Sequence, residues 1–278
     1  MTLEMRHPPD PASFARMTTA EMREAFLLEN LFVPRKIASY YSHVDRAIIG
    51  AVVPGDETIT LPASRELAAE YFTQRRELGV FNVGGTGIIF AGGREYCLAA
   101  KEALYIGRGN RDVGFRSEDR EHPAQFYFVS YPAHAVHPCA KAGVKETEST
   151  ELGSTASANR RVIRKLIHPA GIKSCQLTMG YTELAAGSVW NTMPAHTHLR
   201  RSEIYMYFDL PAPGIVIHCM GKPGETRHLV IRDRQAVVSP PWSVHFAAGT
   251  SNYSFLWAMG GENQEFSDMD VVPMESLA

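Results

Sequence analysis

Short apolar stretches separated by glycine and proline run through most of the chain, a pattern typical of strands joined by tight turns. Residues 87–97 predict a hairpin that turns at Gly92-Gly93. Residues 215–231 predict a second hairpin, which turns through Lys222-Pro223-Gly224. The pattern therefore predicts an all-β protein with few helices.

Helices are predicted at only two places. Thr18-Thr19-Ala20-Glu21 has the spacing of a capping box and precedes a mixed apolar and charged stretch at residues 22–28. A second short helix is predicted over residues 63–72.

The two halves of the chain resemble each other weakly, but in the same order. Four pairs of segments can be aligned: 75–80 with 200–205, 87–90 with 214–217, 102–106 with 235–239, and 125–128 with 254–257. The offset drifts between 125 and 133 residues, as expected for a duplicated fold with loop insertions. We therefore predict two β-sandwich or jelly-roll barrels, residues 1–145 and 146–278, with the polar segment 140–159 as their linker.

Candidate chemistry is concentrated in the second half. His196 and His198 are two residues apart, so both imidazoles project from the same face of an extended strand. Glu203 stands an odd number of residues further on, so a turn through residues 199–202 has to bring its carboxylate round to the histidines. His245 follows a proline-marked turn at residues 239–244.

Three imidazole nitrogens and one carboxylate form a credible site for a divalent transition metal. The first half has no HxH motif, and no histidine stands where a counterpart of His245 is expected, near residues 112–114. One copy is therefore predicted to be catalytic and the other structural.

Composition narrows the class of protein. The net charge is −2 without a block of like charges, so neither nucleic acid nor an acidic membrane is an expected partner. Residues 1–17 lack the apolar core of a signal peptide, and no apolar run reaches membrane-spanning length. The four cysteines lie far apart and predict reduced thiols, so we expect a cytoplasmic protein.

The pattern H-x-H-x4-E followed by P-x-x-x-x-H resembles the two metal motifs of the cupin superfamily. The second motif normally has glycine two residues after the proline, where this chain has Trp242, so the turn must differ locally. Across nearly its whole length the chain also resembles the family of 5-keto-4-deoxyuronate isomerases. The similar stretches are residues 41–46, 75–79, 159–161, 190–198, 224–228 and 261–264.

This resemblance implies a duplicated cupin fold, one zinc ion per chain and a homohexamer. It implies that His196, His198, Glu203 and His245 bind the zinc. The implied reaction converts 5-dehydro-4-deoxy-D-glucuronate to 3-deoxy-D-glycero-2,5-hexodiulosonate in pectin and uronate degradation. Two alternatives stay open from the residues themselves: another metal-dependent cupin enzyme such as a dioxygenase, or a non-catalytic sugar-binding cupin.

An aldose–ketose isomerisation needs a base that moves a proton from C2 to C1. Glu262, in a polar run just past the last predicted strand, and Glu203 are the main candidates, and His43 and Asp45 are further possibilities. The substrate carboxylate calls for a guanidinium group, and Arg161 and Arg201 are the main candidates for it, with Arg160, Arg200 and Arg227 also available. Tyr205, on the strand that leaves Glu203, is a candidate substrate-binding residue. Solvated loop or barrel-filling roles are the alternatives for all of these side chains.

Overall fold

The computed structural model describes residues 3–278, and most of its regular structure consists of short antiparallel strands. The first twelve strands are β1 (Glu4–Arg6), β2 (Leu27–Leu28), β3 (Ile37–Ser42), β4 (Ile48–Val52), β5 (Ile59–Thr60), β6 (Arg76–Asn82), β7 (Gly87–Ala91), β8 (Arg94–Leu98), β9 (Ala103–Ile106), β10 (Gly114–Ser117), β11 (Phe126–Pro132) and β12 (Ala140–Ala142). The other twelve are β13 (Glu148–Leu152), β14 (Arg161–Ile167), β15 (Thr178–Leu184), β16 (Trp190–Asn191), β17 (His196–Thr197), β18 (Arg201–Phe208), β19 (Val216–Lys222), β20 (Glu225–Ile231), β21 (Ala236–Ser239), β22 (Val244–Gly249), β23 (Ser254–Gly261) and β24 (Asp270–Val271). The α-helices are α1 (Pro11–Phe14) and α2 (Thr19–Phe26), and short 3-10 helices lie at Val44–Arg46, Arg65–Leu67, Phe72–Gln74 and Met274–Ser276.

The described residues form two compact units. The first comprises residues 3–5, Asn30–Thr147 and Leu166–Thr178. The second comprises Arg6–Glu29, Glu148–Lys165 and Met179–Ala278. Each unit is therefore built from several separate segments of the chain. The predicted division into domains of residues 1–145 and 146–278 stays a prediction. Among the described residues, none of the helices has the length and apolar character needed to cross a membrane.

Both units contain the same pair of sheets. In the first unit the strand orders are β1-β3-β4-β11-β6-β9-β12 and β5-β10-β7-β8. In the second unit they are β13-β14-β15-β23-β18-β21-β2 and β16-β22-β19-β20, and β17 pairs with β24. Strands of the first unit thus have a counterpart at the same place in the second, such as β6 and β18, β9 and β21, or β11 and β23. This repeated topology confirms the all-β, duplicated sandwich architecture.

The two predicted hairpins are confirmed, with turns at Gly92-Gly93 and Pro223-Gly224. Aligning these turns makes Gly87 the counterpart of His218, so the alignment of residues 87–90 with 214–217 is displaced by four residues. The alignment therefore matches the correct two strands of the two units, but the weak sequence similarity does not define which residues within them are equivalent.

Corresponding ladder positions explain why the two copies differ chemically. Leu78 pairs with Ile106 in the first unit where Glu203 pairs with Ser239 in the second. Phe115 of β10 likewise stands where His245 stands in β22. Leu78 and Phe115 are fully buried in the apolar core of the first unit, so these two positions offer no metal ligand there.

The predicted capping box is confirmed, since the Thr18 hydroxyl accepts from the Glu21 backbone N–H and the Glu21 carboxylate accepts from that of Thr18. The helix predicted over 63–72 is wrong: only two 3-10 turns form there, and Ala68 between them has a left-handed φ of 44°. Phe72 is buried in the core of the first unit, and this tertiary packing outweighs the local helical preference.

The segment predicted as a linker contains strands instead. β13 lies within it and pairs with β14, with Leu152 opposite Arg161. All five residues of β13 are exposed. A solvated edge strand can therefore have the same polar composition as a flexible linker, which is why the composition did not reveal the strand.

The N-terminal segment supports the second unit. Phe14 packs edge-on against Phe26 and against Trp242, with ring centroids 5.6 and 5.4 Å apart. The Arg227 guanidinium donates to the carbonyls of Phe14 and Met17. Trp242 stands three residues before His245, so this core supports the turn that leads into the candidate metal site.

Candidate metal site

Two segments of the second unit deliver the four predicted ligands. His196 lies on β17, His198 follows it, and a turn at Leu199-Arg200 returns the chain into β18, where Glu203 is the third residue. β21 ends at Ser239, and the proline-containing turn leads into β22, whose second residue is His245. Both turns required by the sequence spacing are therefore present.

The ligand atoms of His196, His198, Glu203 and His245 all lie within 4.8 Å of one another. Oε2 of Glu203 is 3.0 Å from Nε2 of His198 and 3.0 Å from Nε2 of His245. Nε2 of His245 is 3.2 Å from Nε2 of His196. Atoms bonded to a single zinc ion at about 2.1 Å are separated by roughly 3 to 3.5 Å, so the cluster could hold a metal ion of that size.

Outer hydrogen bonds orient the imidazole rings toward the centre of the cluster. Nδ1 of His198 lies 3.0 Å from the carbonyl oxygen of Arg201, and Nδ1 of His245 lies 3.2 Å from Oγ of Ser239. The Pro194 carbonyl is the backbone partner of His196. Such partners on the far ring nitrogen are the usual arrangement around metal-binding histidines.

The electrostatics of the cluster favour a cation. Burial, reinforced by the neighbouring His245, lowers the pKa of His196 to about 3. Burial also lowers the pKa of His245. Burial opposes ionisation of Glu203, but the charge and hydrogen bonds of His245 and His198 hold its pKa well below the ordinary value of 4.5.

At neutral pH this leaves an ionised Glu203 carboxylate facing the uncharged imidazoles of His196 and His245. Because Nδ1 of His198 donates to a carbonyl, its Nε2 is the ring atom with the free lone pair. Several acceptor atoms directed at one point, with no donor among them, are the arrangement that binds a divalent metal ion.

A cavity of about 230 Å³ opens beside the ligands, within the second unit. One wall consists of strand residues, namely Ile163, Thr182, Phe255, Trp257 and Met259. Another consists of Phe266, Met269 and Val271, from the segment that follows β23. The cavity is therefore mostly apolar apart from the ligands and a few other polar lining residues.

Two further predicted residues line this cavity. Tyr205 is 3 % exposed, its hydroxyl lies 3.4 Å from the hydroxyl of Thr192, and burial raises its pKa well above 10.0, so the phenol is neutral. Arg161 is partly buried, which lowers its pKa from 12.5, and its Nη1 donates to the carbonyl of Asn159. Both side chains are available to a polar ligand in the cavity.

The contacts of Arg201 and Glu262 do not support the roles predicted for them. Arg201 lines the cavity, but Nη1 and Nη2 donate to the backbone carbonyls of Asn263, Glu265, Phe266 and Asp268. Only its buried Nε has no protein partner, so these contacts do not support a role as carboxylate partner. Glu262 is exposed and does not line the cavity, so the structure does not bring this predicted base to the ligands.

Sequence reasoning missed the wall formed by residues 266–271. A signal was available, because Phe266 and Met269 are large apolar residues in an otherwise polar stretch after the last long strand. It also missed the buried pair in which the Tyr207 hydroxyl lies 2.7 Å from Nδ1 of His218.

Known proteins with similar sequences match the chain over its whole length. The KduI/IolB family model matches residues 31–274. Proteins named 4-deoxy-L-threo-5-hexosulose-uronate ketol-isomerase are 52% identical in Bacillus licheniformis, 50% in Bacillus subtilis and 49% in Caldicellulosiruptor bescii. Each alignment covers 99% of this chain and 100% of the relative.

Solved structures with far lower identity share the fold. An IolB-like protein from Salmonella typhimurium superposes with a TM-score of 0.71 at 15% identity, covering 89% of this chain and 96% of the other. A variant of oxalate decarboxylase from Bacillus subtilis gives a TM-score of 0.52 at 11% identity, covering 79% and 69%. These likenesses concern the fold alone, and they agree with a duplicated cupin architecture.

Proposed function

Because this chain belongs to the KduI/IolB family, we propose that it catalyses the reaction for which its close relatives are named, a ketol-isomerisation of 4-deoxy-L-threo-5-hexosulose-uronate. This substrate is 5-dehydro-4-deoxy-D-glucuronate, and its product is 3-deoxy-D-glycero-2,5-hexodiulosonate. The enzyme is an aldose–ketose isomerase of pectin and uronate degradation. The observation that carries the proposal is the largely buried cluster of His196, His198, Glu203 and His245 beside a cavity.

Zinc is the metal that we propose for the cluster. Three imidazole nitrogens and a carboxylate oxygen are typical zinc ligands, and His196, His198, Glu203 and His245 would hold the ion. When bound, a divalent cation supplies Lewis-acid stabilisation of the negative charge that develops on the sugar oxygens during enolisation.

Glu203 is the proposed proton carrier. Its Oε2 faces His198 and His245, and its carboxylate is also hydrogen-bonded to the Tyr205 phenol; held in this way beside the cavity, it would accept the proton from C2 and return it to C1. Glu203 is the only carboxylate among the described residues that line the cavity, whereas Glu262 is exposed. The neutral phenol of Tyr205 donates to the Glu203 carboxylate, so its oxygen would accept a hydrogen bond from a substrate hydroxyl close to the reacting carbons.

Arg161 is the proposed partner of the substrate carboxylate. Its partly desolvated guanidinium lines the cavity and donates to a single backbone carbonyl in its known contacts, so further donors remain for a planar anion. Arg201, the second candidate, uses Nη1 and Nη2 on backbone carbonyls.

We further propose the homohexamer that the sequence resemblance implies, and a cytoplasmic location. The four cysteines, Cys97, Cys139, Cys175 and Cys219, are all free thiols, which suits a reducing compartment. The proposed partners are limited to the sugar-acid substrate and further copies of the chain.

Metal analysis combined with turnover tests the function. We expect about one zinc ion per chain and isomerisation of 5-dehydro-4-deoxy-D-glucuronate that is lost on chelation and restored by added metal. Bound metal without turnover would favour a dioxygenase or a sugar-binding cupin, which oxygen consumption and a sugar-induced thermal shift would distinguish. A metal-free, fully active protein would contradict the proposed site.

A further inference from the structure

Residues 262–271, here called the strap, form one wall of the cavity. Apart from the two residues of β24 at its end, the strap has no regular secondary structure. Phe266 packs against Trp257 with ring centroids 5.2 Å apart, and Phe266, Met269 and Val271 face the cavity. Such a segment keeps its position only where specific contacts hold it.

Arg201 anchors the first part of the strap. Nη1 donates to the carbonyl of Glu265 at 2.6 Å, and Nη2 donates to those of Phe266 and Asp268 at 3.2 and 3.3 Å. One buried guanidinium thus takes the role that a neighbouring strand has elsewhere: it donates hydrogen bonds to several carbonyls of an irregular backbone segment.

The duplicated fold supports this assignment. Arg76 begins β6 as Arg201 begins β18, and it is also buried and donates to two backbone carbonyls, those of Ser130 and Arg46. The first unit has Leu78 and Phe115 in place of two metal ligands, and it still uses its arginine in this way. Carbonyl anchoring by this arginine therefore also occurs in the copy that lacks these two ligand positions.

Arg200 holds the second part of the strap through charge. Its Nε lies 2.8 Å from both carboxylate oxygens of Asp268, and its Nη2 lies 2.5 Å from Asp268 and 3.1 Å from Asp270. The hydrogen bond and charge of Arg200 lower the pKa of Asp268, so this carboxylate is ionised throughout the neutral range. The amide of Asn263 adds a hydrogen bond to Asp268 at 2.7 Å.

The end of the strap joins the ligand strand directly. Val271 pairs with His196 in the ladder between β24 and β17, and the backbone N–H of Val272 donates to the carbonyl of Ala195. The arginines themselves lie between His198 and Glu203 in sequence. The strap and the ligand loop are therefore one hydrogen-bonded assembly.

We infer that Arg200 and Arg201 are positioning residues, which hold the strap closed against the metal cavity so that Phe266, packed on Trp257, forms an apolar wall beside the substrate. The kinetic part of this inference rests on the proposed isomerase function. A fixed apolar wall restricts how a small polyhydroxy acid can lie in the cavity and keeps water from the reacting carbons. Release of the strap should therefore weaken productive binding without removing the metal.

Hydrogen–deuterium exchange of the metal-loaded, full-length enzyme tests the inference. In Arg200→Gln and in Asp268→Asn, we expect amides of residues 262–270 to exchange at least about tenfold faster than in the wild type. Exchange of residues 244–249 in β22, and the metal content, should stay unchanged. KM for the uronate should rise by about tenfold in both variants, and Arg200→Lys should recover part of the loss because it keeps the charge.

Arg111→Gln is the matched control, because Arg111 forms an ion pair with Glu70 at 3.0 Å in the first unit, outside the cavity. It should change neither strap exchange nor kinetics. Unchanged strap exchange in Arg200→Gln and Asp268→Asn would overturn the inference, as would faster exchange with unaltered kinetics or a loss of metal. If the wild type itself fails to turn over the uronate, the proposed function is wrong, and the exchange data still decide whether the arginines hold the strap.

Discussion

Single side chains decide which of the two similar barrels contains the candidate metal site. Glu203 and His245 of the second unit stand at ladder positions where the first unit has Leu78 and Phe115. The backbone provides equivalent places in both copies, but an apolar side chain fills the core in one and a ligand reaches the metal site in the other. Function in this protein therefore depends on a few residues within a repeated framework.

We expect His245→Ala to lose the metal and the isomerase activity while most of the fold is kept. The variant removes one nitrogen from the cluster, whereas the second unit has its own apolar core. Metal analysis, turnover and circular dichroism provide the measurement. His228→Ala, an exposed histidine on β20, is the control and should keep its metal. Full metal content in His245→Ala would show that the proposed ligand set is wrong.

Arg161→Gln should raise KM for the uronate by roughly 10- to 100-fold with a smaller change in kcat, since it removes a charged partner of the substrate carboxylate. Steady-state kinetics measure the effect. Arg160→Gln is a suitable control, because Arg160 is largely exposed and its carboxylate partner, Glu151, lies 3.7 Å away. Equal KM values for Arg161→Gln and the wild type would exclude Arg161 from carboxylate binding.

At the scale of elements, turns and caps determine where the functional strands begin. The turn at Leu199-Arg200 brings Glu203 back to the histidines, and the same turn supplies the arginine that holds the strap. Helix α2 begins at a capping box and places Phe26 in the core of the second unit. The turn and the helix cap each depend on few residues, so single substitutions can test them separately.

Thr18→Ala should lower the free energy of unfolding by about 1 kcal/mol at pH 7, because it removes the N-cap acceptor of α2. The backbone and hydroxyl hydrogen bonds from Thr18 lower the pKa of Glu21 below 4.5. The contribution of the ionised Glu21 carboxylate to the free energy of unfolding is present above pH 4.5 and is lost as the pH falls through the pKa that Glu21 has in the folded protein. Chemical denaturation should therefore show the difference from wild type shrinking below pH 4.

Thr19→Ala, at the exposed first helical position, serves as the control and should leave the free energy of unfolding nearly unchanged. A stability difference between Thr18→Ala and wild type that stays constant between pH 7 and pH 3 would argue against coupling of Glu21 to the Thr18 hydroxyl, since the variant keeps the backbone N–H that also donates to Glu21.

On the scale of the whole molecule, duplication and assembly are separate questions. The repeated order of the sheets establishes the duplication within one chain. The assembly of several chains is expected from the sequence resemblance, and exposed sheet edges such as that of β13 are surfaces that can pair between copies.

Light scattering of the purified protein should give about six times the chain mass of 30.8 kDa, as the proposed homohexamer requires. The measurement is best repeated after metal removal, because the ligands all lie within one unit and the mass should then be unchanged. A mass near that of a single chain would remove the hexamer from the proposal.

Sequence by itself determined the features that depend on local spacing. The HxH motif, the turn before Glu203 and the proline turn before His245 predicted the ligand cluster, because strand alternation and turn length restrict where those side chains point. Hairpin turns and the capping box were predictable for the same reason. Weak internal similarity also indicated the duplicated fold, although it misplaced one strand by four residues.

Tertiary structure alone decided the roles that depend on distant partners. Arg201 carries the same charge whether it meets a substrate or backbone carbonyls, and only the position of the strap assigns it to the carbonyls. Glu262 lies one residue beyond β23, yet the direction of the chain there leaves it exposed. Phe72 packs in the core of the first unit, at the start of a 3-10 turn and not within an α-helix, because its stabilising contacts come from residues far away in sequence. Local spacing cannot encode such contacts, since they form only when separate segments meet in the folded chain.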